Sequence, residues 1–87
     1  MYRTGHGRSR NPVLLTAPVG SVADVCAALS VAVFGPKRPA PKNLDGLADL
    51  LREAHPARVV ACDWQLPADE TRKVVAVFRD NRVELVR

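Results

Sequence analysis

The sequence predicts a small α/β domain, a three-stranded parallel sheet packed with three helices in the order β-α-α-β-α-β. Short apolar runs rich in β-branched residues alternate with longer stretches whose apolar residues recur every three or four positions. The predicted strands are separated by connections of helix length, which is typical of crossovers between parallel strands. With 87 residues, the chain has room for one domain built on a single modest core.

The first strand and the first helix have clear terminal signals. Residues 13–17 form a short apolar run that ends at a proline and a glycine, as expected for a buried strand. Ser21, followed three residues later by Asp24, predicts a capping box at the start of a helix over residues 22–33. Gly35 and the proline after it stop this helix.

A second helix is predicted over residues 44–54. Asn43 is a favourable amino-terminal cap, and leucines recur at helical spacing from Leu44 onwards. A basic, proline-rich loop over residues 37–42 precedes this helix. Residues 58–64 are largely apolar and predict a second strand that is covered on both of its faces.

A third helix and a last strand complete the domain. Pro67 and the two acidic residues that follow it suit the first turn of a helix, and Val74 and Phe78 belong to its apolar face. We expect Asn81 to end this helix in the left-handed conformation. Residues 82–87 alternate polar with apolar residues, as a half-buried edge strand does.

The positive charge is concentrated near the amino terminus. Three of the thirteen Lys and Arg residues lie in residues 1–11, which leaves ten cations against nine carboxylates, a net charge of +1, in residues 12–87. We therefore expect a basic, flexible tail over residues 1–11 and a domain over residues 12–87. Because the sequence contains no run long and apolar enough to cross a bilayer, and no apolar secretory signal, we expect a cytoplasmic protein.

The sequence contains no constellation of residues typical of a catalytic or metal site. No sequence signal orients a nucleophile or a carboxylate towards His6 or His55, and no phosphate-binding glycine motif is present. Cys26 and Cys62 lie in separate apolar runs without metal-ligand spacing, so we expect two reduced, buried thiols. The sequence thus predicts neither enzymatic activity nor a cofactor nor a metal.

The most informative feature is a row of acidic residues on the second helix. Asp45, Asp49 and Glu53 are spaced by four, which aligns three like charges and costs about 0.2–0.5 kcal/mol for each pair in an isolated helix. Asp80 lies near the carboxyl end of the third helix, where the helix dipole disfavours an anion. A solvated face partly offset by Arg52 is one explanation, and an acidic binding surface is the other.

Residues 43–51, Asn-Leu-Asp-Gly-Leu-Ala-Asp-Leu-Leu, resemble the binding helix of the barstar family, the intracellular inhibitors of secreted ribonucleases. Residues 59–64 and 74–80 are similar, in the same order, to the second strand and the last helix of the family. The resemblance spans residues 13–87 and implies a barstar-like fold. It also implies an immunity-type function in a bacterial cell, in which carboxylates meet the cationic groups that a ribonuclease uses for the RNA phosphate.

The resemblance also implies a partner and a set of contact residues. The partner is a ribonuclease or a related nuclease toxin, and the free inhibitor is expected to be a monomer. The implied contact residues are Asn43, Leu44, Asp45, Ala48, Asp49 and Asp80. Ala48 stands where the family has an aromatic residue, and the proline-rich loop of residues 37–42 replaces an aromatic, glycine-containing loop.

Two other functions are kept as alternatives. An isoelectric point of about 9.7, the basic tail and the loop cations Lys37, Arg38 and Lys42 favour a small nucleic-acid-associated domain. Against this, the four aromatic residues do not interleave with basic ones, and Trp64 at a strand end is expected to pack. The second alternative is a barstar-fold interaction module whose partner is not a nuclease.

Overall fold

The structure, a computed structural model, describes residues 12–87. The elements in chain order are β1 (Val13–Leu15), α1 (Val22–Phe34), α2 (Leu44–Ala54), β2 (Arg58–Ala61), α3 (Ala68–Asp80) and β3 (Glu84–Val86). The predicted small α/β domain with the order β-α-α-β-α-β is confirmed. The tail predicted over residues 1–11 lies outside the described residues.

The three strands form a parallel sheet in the order β1-β2-β3. Both crossovers therefore move in the same direction along the sheet, and because such crossovers are right-handed, all three helices lie on one face. In β2, Val59 and Ala61 face the helices and are buried, whereas Val60 between them is half-buried. The expectation that the second strand is covered on both faces was wrong, because no helix of residues 12–87 lies on the other face in this strand order.

The core fills the space between the covered face of the sheet and the helices. Each helix contributes at least two buried apolar side chains, as its spacing predicted. The large side chains that are almost fully buried include Leu15, Leu29, Leu47, Leu51, Val59, Val74 and Phe78. Each such side chain contributes about 1.5–3 kcal/mol relative to an exposed position. Among residues 12–87, no helix is both long enough and apolar enough to span a membrane.

All three helices begin at the carboxyl end of the sheet. α1 and α3 follow β1 and β2, and α2 is followed by β2 after a short connection, so each helix runs antiparallel to the strands. Residues 35–43 therefore return along the length of α1 before α2 begins. The thiol of Cys26, early in α1, lies 3.7 Å from the carbonyl oxygen of Asn43, which confirms that the two helix starts are neighbours.

The predicted amino-terminal caps of α1 and α2 are present. The hydroxyl oxygen of Ser21 accepts a hydrogen bond from the backbone N–H of Asp24 at 3.1 Å. The carboxylate of Asp24 accepts one from the N–H of Gly20 at 2.9 Å. The side-chain oxygen of Asn43 accepts one from the N–H of Gly46 at 2.8 Å. These bonds satisfy donors that a helix start leaves unpaired.

The end of α3 differs from the prediction. Asn81 has φ −101°, and the left-handed residue is Arg82, with φ 60°. The N–H of Arg82 donates to the carbonyl of Arg79, and the N–H of Val83 donates to the carbonyl of Phe78, both at 3.0 Å. These two bonds form a Schellman motif in which Asn81 is still the cap residue, so the left-handed turn falls one residue later.

Candidate partner-binding surface on α2 and α3

The acidic row of α2 faces solvent. The buried residues of this helix are Leu47, Leu50 and Leu51. Asp45, Asp49 and Glu53 are all exposed, on the side away from these leucines. The predicted alignment of three carboxylates on one exposed face is therefore present in the fold.

Asp45 is stabilised by its position in the helix. It lies in the first turn of α2, directly after the cap Asn43 and Leu44. The positive end of the helix dipole favours a carboxylate there by about 0.3–1 kcal/mol at an exposed site. Within residues 12–87, Asp45 takes part in none of the ion pairs. Its carboxylate is thus accessible to a partner while also stabilising the helix.

The other two carboxylates of the row each pair with an arginine. Asp49 pairs with Arg52 on the next turn, and the side chain of Asp49 is 70% exposed. Glu53 accepts hydrogen bonds of 2.6 and 3.1 Å from the guanidinium of Arg38. These hydrogen bonds lower the pKa of Glu53 below its ordinary value. Exposed ion pairs contribute about 0–1 kcal/mol, so an approaching cation can displace Arg52 at small cost.

Arg38 and Pro41 hold the proline-rich loop against α2. The guanidinium of Arg38 bonds Glu53 and lies 4.0 Å from the ring centroid of Phe34. Pro41 occupies the space in which Gly46 would carry a side chain. The only sequence signal for this contact is a glycine inside a helix, where it costs about 1 kcal/mol relative to alanine. The loop therefore contacts α2 at two places along its length.

The remaining predicted contacts on α2 are partly engaged in the fold. The side-chain oxygen of Asn43 is used by the helix cap. Leu44 is half-buried and packs against the core. Ala48 is also half-buried, so a partner can reach only part of its surface. Asp45 and Asp49 are the predicted α2 contacts with exposed charged groups, and Asp49 shares its charge with Arg52.

A cleft at the helix starts brings Asp45 next to α3. It has a volume of about 560 Å³, and its lining includes Lys42 and Asp45 beside Glu70 and Lys73 of α3. None of these four side chains belongs to an ion pair with another of residues 12–87. Glu70 has no sequence signal of a contact residue, because an acidic residue in the first turn of a helix is already explained by the dipole.

Asp80 lies far from this cleft. It is the exposed last residue of α3, whereas Glu70 lies in the first turn. Thirteen residues of helix span about 20 Å at 1.5 Å per residue, so α3 separates Asp80 from the helix starts. Among the described residues, Asp80 forms no ion pair with the neighbouring Arg79 or Arg82.

Trp64 packs, as expected. Its ring is half-buried against the core, and its indole N–H donates to the hydroxyl of Thr71 at 2.8 Å. The guanidinium of Arg87 lies 5.9 Å from the ring centroid. This indole is already engaged on two sides, which is unlike a platform for nucleobases.

The two cysteines differ in their surroundings. Cys26 is buried, and burial raises the pKa of its thiol to about 11. Cys62 is exposed, so the expectation of two buried thiols was wrong for this residue. The strand alternation explains the difference, because Cys62 follows the buried Ala61 and lies on the side of the sheet opposite the three described helices.

Comparison with protein-family models, with curated proteins and with solved structures found no match for this chain. In the described part of the chain, no three His, Cys, Asp or Glu side chains form a group that could hold a metal ion. The candidate surface is therefore defined by its own geometry: an exposed acidic row on α2 that continues into a cleft bordered by α3.

Proposed function

We propose that this chain is a non-enzymatic, barstar-like inhibitor that binds a ribonuclease or a related nuclease toxin and covers its active site with carboxylates. One observation carries the proposal. Asp45 and Asp49 lie on the exposed face of α2, directly after the Asn43 cap, on the helix that the resemblance assigns to binding. The element order and the parallel sheet also agree with the fold that the resemblance implies.

The local charge of α2 supports this proposal despite the basic composition. Asp45, Asp49 and Glu53 provide three negative charges on the exposed face, and Arg38 and Arg52 neutralise two of them, which leaves −1. At physiological ionic strength, screening limits charge interactions to about 8 Å. A nuclease that approaches this face therefore meets the uncompensated carboxylate of Asp45, although Lys42 and Lys73 line the cleft beside it.

Inhibition by this surface requires only binding. The carboxylates of Asp45 and Asp49 accept charge-assisted hydrogen bonds from the Arg, Lys or protonated His side chains that would otherwise hold the RNA phosphate. A cation of the nuclease replaces Arg52 beside Asp49, so one ion pair is exchanged for another. Glu70 adds a carboxylate on α3, in the cleft that Lys42 and Lys73 also line. The occupied nuclease cannot admit its substrate.

Copurification tests the proposal. The tagged full-length chain is expressed in its source organism, and the proteins retained at moderate salt are identified. We expect a nuclease in stoichiometric amount, lost when Asp45→Ala and Asp49→Ala are combined. Asp69→Ala is the matched control, since Asp69 is an exposed acidic residue at the start of α3 outside the cleft lining. Retention of RNA alone, or of a partner insensitive to the double substitution, would contradict the proposal.

The nucleic-acid alternative receives less support. Arg38, one of its three loop cations, is bonded to Glu53 and stacked on Phe34. Binding to generic RNA with a steep salt dependence is the result that would favour it, since each phosphate contact releases counterions. A retained partner without nuclease activity would favour the third function, an interaction module with a different target.

A further inference from the structure

The face of the sheet opposite the helices carries an apolar row. Leu14, Val60 and Val86 are register partners across the three strands, so their side chains lie side by side. Leu14 is 60% exposed and Val86 is 38% exposed, whereas Val60 in the centre is half-buried. We call this surface, with Arg58, Glu84 and Cys62 around the row, the open sheet face.

The open sheet face is unusual for a parallel sheet. Such sheets are normally covered on both faces, and valine and leucine are typical of covered positions. Contiguous exposed apolar side chains generally mark a surface that binds another molecule. Because the helices occupy the opposite side of the sheet, this surface is separate from the acidic row of α2.

The charged pair next to the apolar row indicates what binds there. Arg58 and Glu84 are register partners, and the Nε of Arg58 donates to Oε1 of Glu84 at 2.8 Å. The charges of Arg58 and Glu84 cancel at the open sheet face, whereas the whole chain carries a net charge of +4. A second copy of the chain is therefore not repelled at this face, as it is where the unpaired cations lie.

The same pair is complementary to itself. A twofold rotation that stacks two open sheet faces can bring Arg58 of one copy towards Glu84 of the other, and the reverse. Self-complementarity of this kind is the requirement for an isologous interface. Apolar rows from the two copies then meet at the spacing of stacked sheets, about 10 Å.

We propose that the open sheet face is a self-association surface on which a second copy of this chain docks face to face as an isologous dimer. The apolar rows exclude water at its centre, and the two Arg58–Glu84 pairs form a ring of alternating charge beside them. A standard interface buries about 800 Å² on each partner, which is more than one face of strands of three, four and three residues can supply. The dimer is therefore weak and in rapid exchange, and both α2 surfaces remain free in it.

Sedimentation equilibrium of the full chain under reducing conditions, from about 10 μM to 1 mM, tests the proposal. We expect a concentration-dependent monomer–dimer equilibrium that Leu14→Lys weakens at least tenfold. Ala68→Lys is the matched control, because Ala68 is exposed on α3, on the helix side of the sheet, and the substitution adds the same charge. A wild-type chain that is monomeric at 1 mM would overturn the proposal. So would a loss of association with Ala68→Lys and not with Leu14→Lys, which would place the contact on the helix side of the molecule.

Charge exchange tests the twofold arrangement. Arg58→Glu gives each copy two anions beside the row, and Glu84→Arg gives each copy two cations. We expect each variant alone to associate at least tenfold more weakly than wild type, and an equimolar mixture of the two to recover association. Circular dichroism and thermal unfolding verify that both variants are folded. A mixture no stronger than its components, or growth beyond dimers, would exclude the isologous arrangement.

Discussion

Pro41 packs against the backbone of α2 at Gly46, in the position that a side chain at residue 46 would take. A Cβ atom built on Gly46 would overlap the Cβ of Pro41 and come within 2.8 Å of its Cγ. The cap Asn43 lies between these two residues in the chain. The contact therefore helps to set the path by which the chain enters the proposed binding helix.

Gly46→Ala is expected to destabilise the protein, although alanine favours helices. The gain in helix propensity is about 1 kcal/mol, whereas overpacking against Pro41 costs about 1–3 kcal/mol. Urea unfolding measures the net change in the free energy of unfolding. The same substitution is then made in a protein that already carries Pro41→Gly. There the overlap with Pro41 is removed and the 3.3 Å approach to Oδ1 of Asn43 remains, so Gly46→Ala should be much less destabilising than in the wild-type background. Stabilisation by Gly46→Ala in the wild-type background would show that the loop moves away freely.

Asp49→Ala is expected to weaken binding to the nuclease strongly while changing the stability of the free protein little. Its exposed pair with Arg52 contributes at most about 1 kcal/mol to folding, whereas the proposed complex would leave a nuclease cation without its partner. Calorimetry with the cognate nuclease and urea unfolding measure the two effects. Arg52→Ala is the control, because it breaks the same ion pair and keeps the carboxylate, so it should change stability equally and leave affinity unchanged or slightly higher, since the nuclease cation no longer has to displace Arg52. Unchanged affinity for Asp49→Ala would remove Asp49 from the binding surface.

The ion pair between Arg38 and Glu53 is expected to break at acidic pH, when Glu53 becomes protonated. The hydrogen bonds from Arg38 lower the pKa of Glu53, so the folded protein binds this proton less readily than the unfolded chain. The contribution to stability is therefore present above the ordinary glutamate pKa and is lost as the pH falls through the lowered value. A carbon-13 NMR titration measures the pKa of the Glu53 carboxyl group in the wild-type protein and in the Arg38→Ala variant. If the two titrations coincide, the loop is not held by this pair.

Sequence reasoning was most successful where the signals are local. The bounds predicted for α2, residues 44–54, are those observed, because the Asn43 cap and the leucine spacing act within one helix. The two-sided cover of the second strand was predicted wrongly, because cover depends on strand order. The residues next to Val60 in the chain are the same whichever strand order forms. It is the order β1-β2-β3 that leaves the Val60 side of the sheet without a helix from residues 12–87.

The candidate surface was only partly predictable for the same reason. Asp45 and Asp49 follow from helical spacing, so their common exposed face was predicted. The pair between Arg38 and Glu53 joins residues fifteen positions apart, and no periodic pattern signals such a contact. Glu70 joins the cleft through the packing of α3 beside α2, which depends on the tertiary fold.

Ser30→Ala is expected to stabilise the protein. Ser30 is fully buried in α1, and its hydroxyl has no hydrogen-bond partner among the described residues. An unsatisfied buried polar group costs about 1–3 kcal/mol, and alanine removes the hydroxyl without enlarging the side chain. Thermal unfolding measures the change in stability. The Ser30→Val variant tests whether the core has room for a larger side chain at this position. Destabilisation by Ser30→Ala would mean that the hydroxyl has a partner in solution.

The two thiols are expected to react at very different rates. At pH 8, a disulfide reagent should modify Cys62 rapidly, because it is exposed, and should reach Cys26 only when the chain unfolds. Burial raises the pKa of Cys26 to about 11, so its thiolate is scarce in the folded protein. Since the unfolded thiol ionises at lower pH, this burial also reduces stability progressively as the pH rises from about 8.5 towards 11. Counting modified thiols with and without denaturant, and repeating the count with Cys62→Ser, measures the difference. Rapid modification of Cys26 in the folded Cys62→Ser variant would show that α1 opens from the core far more often than its buried contacts allow.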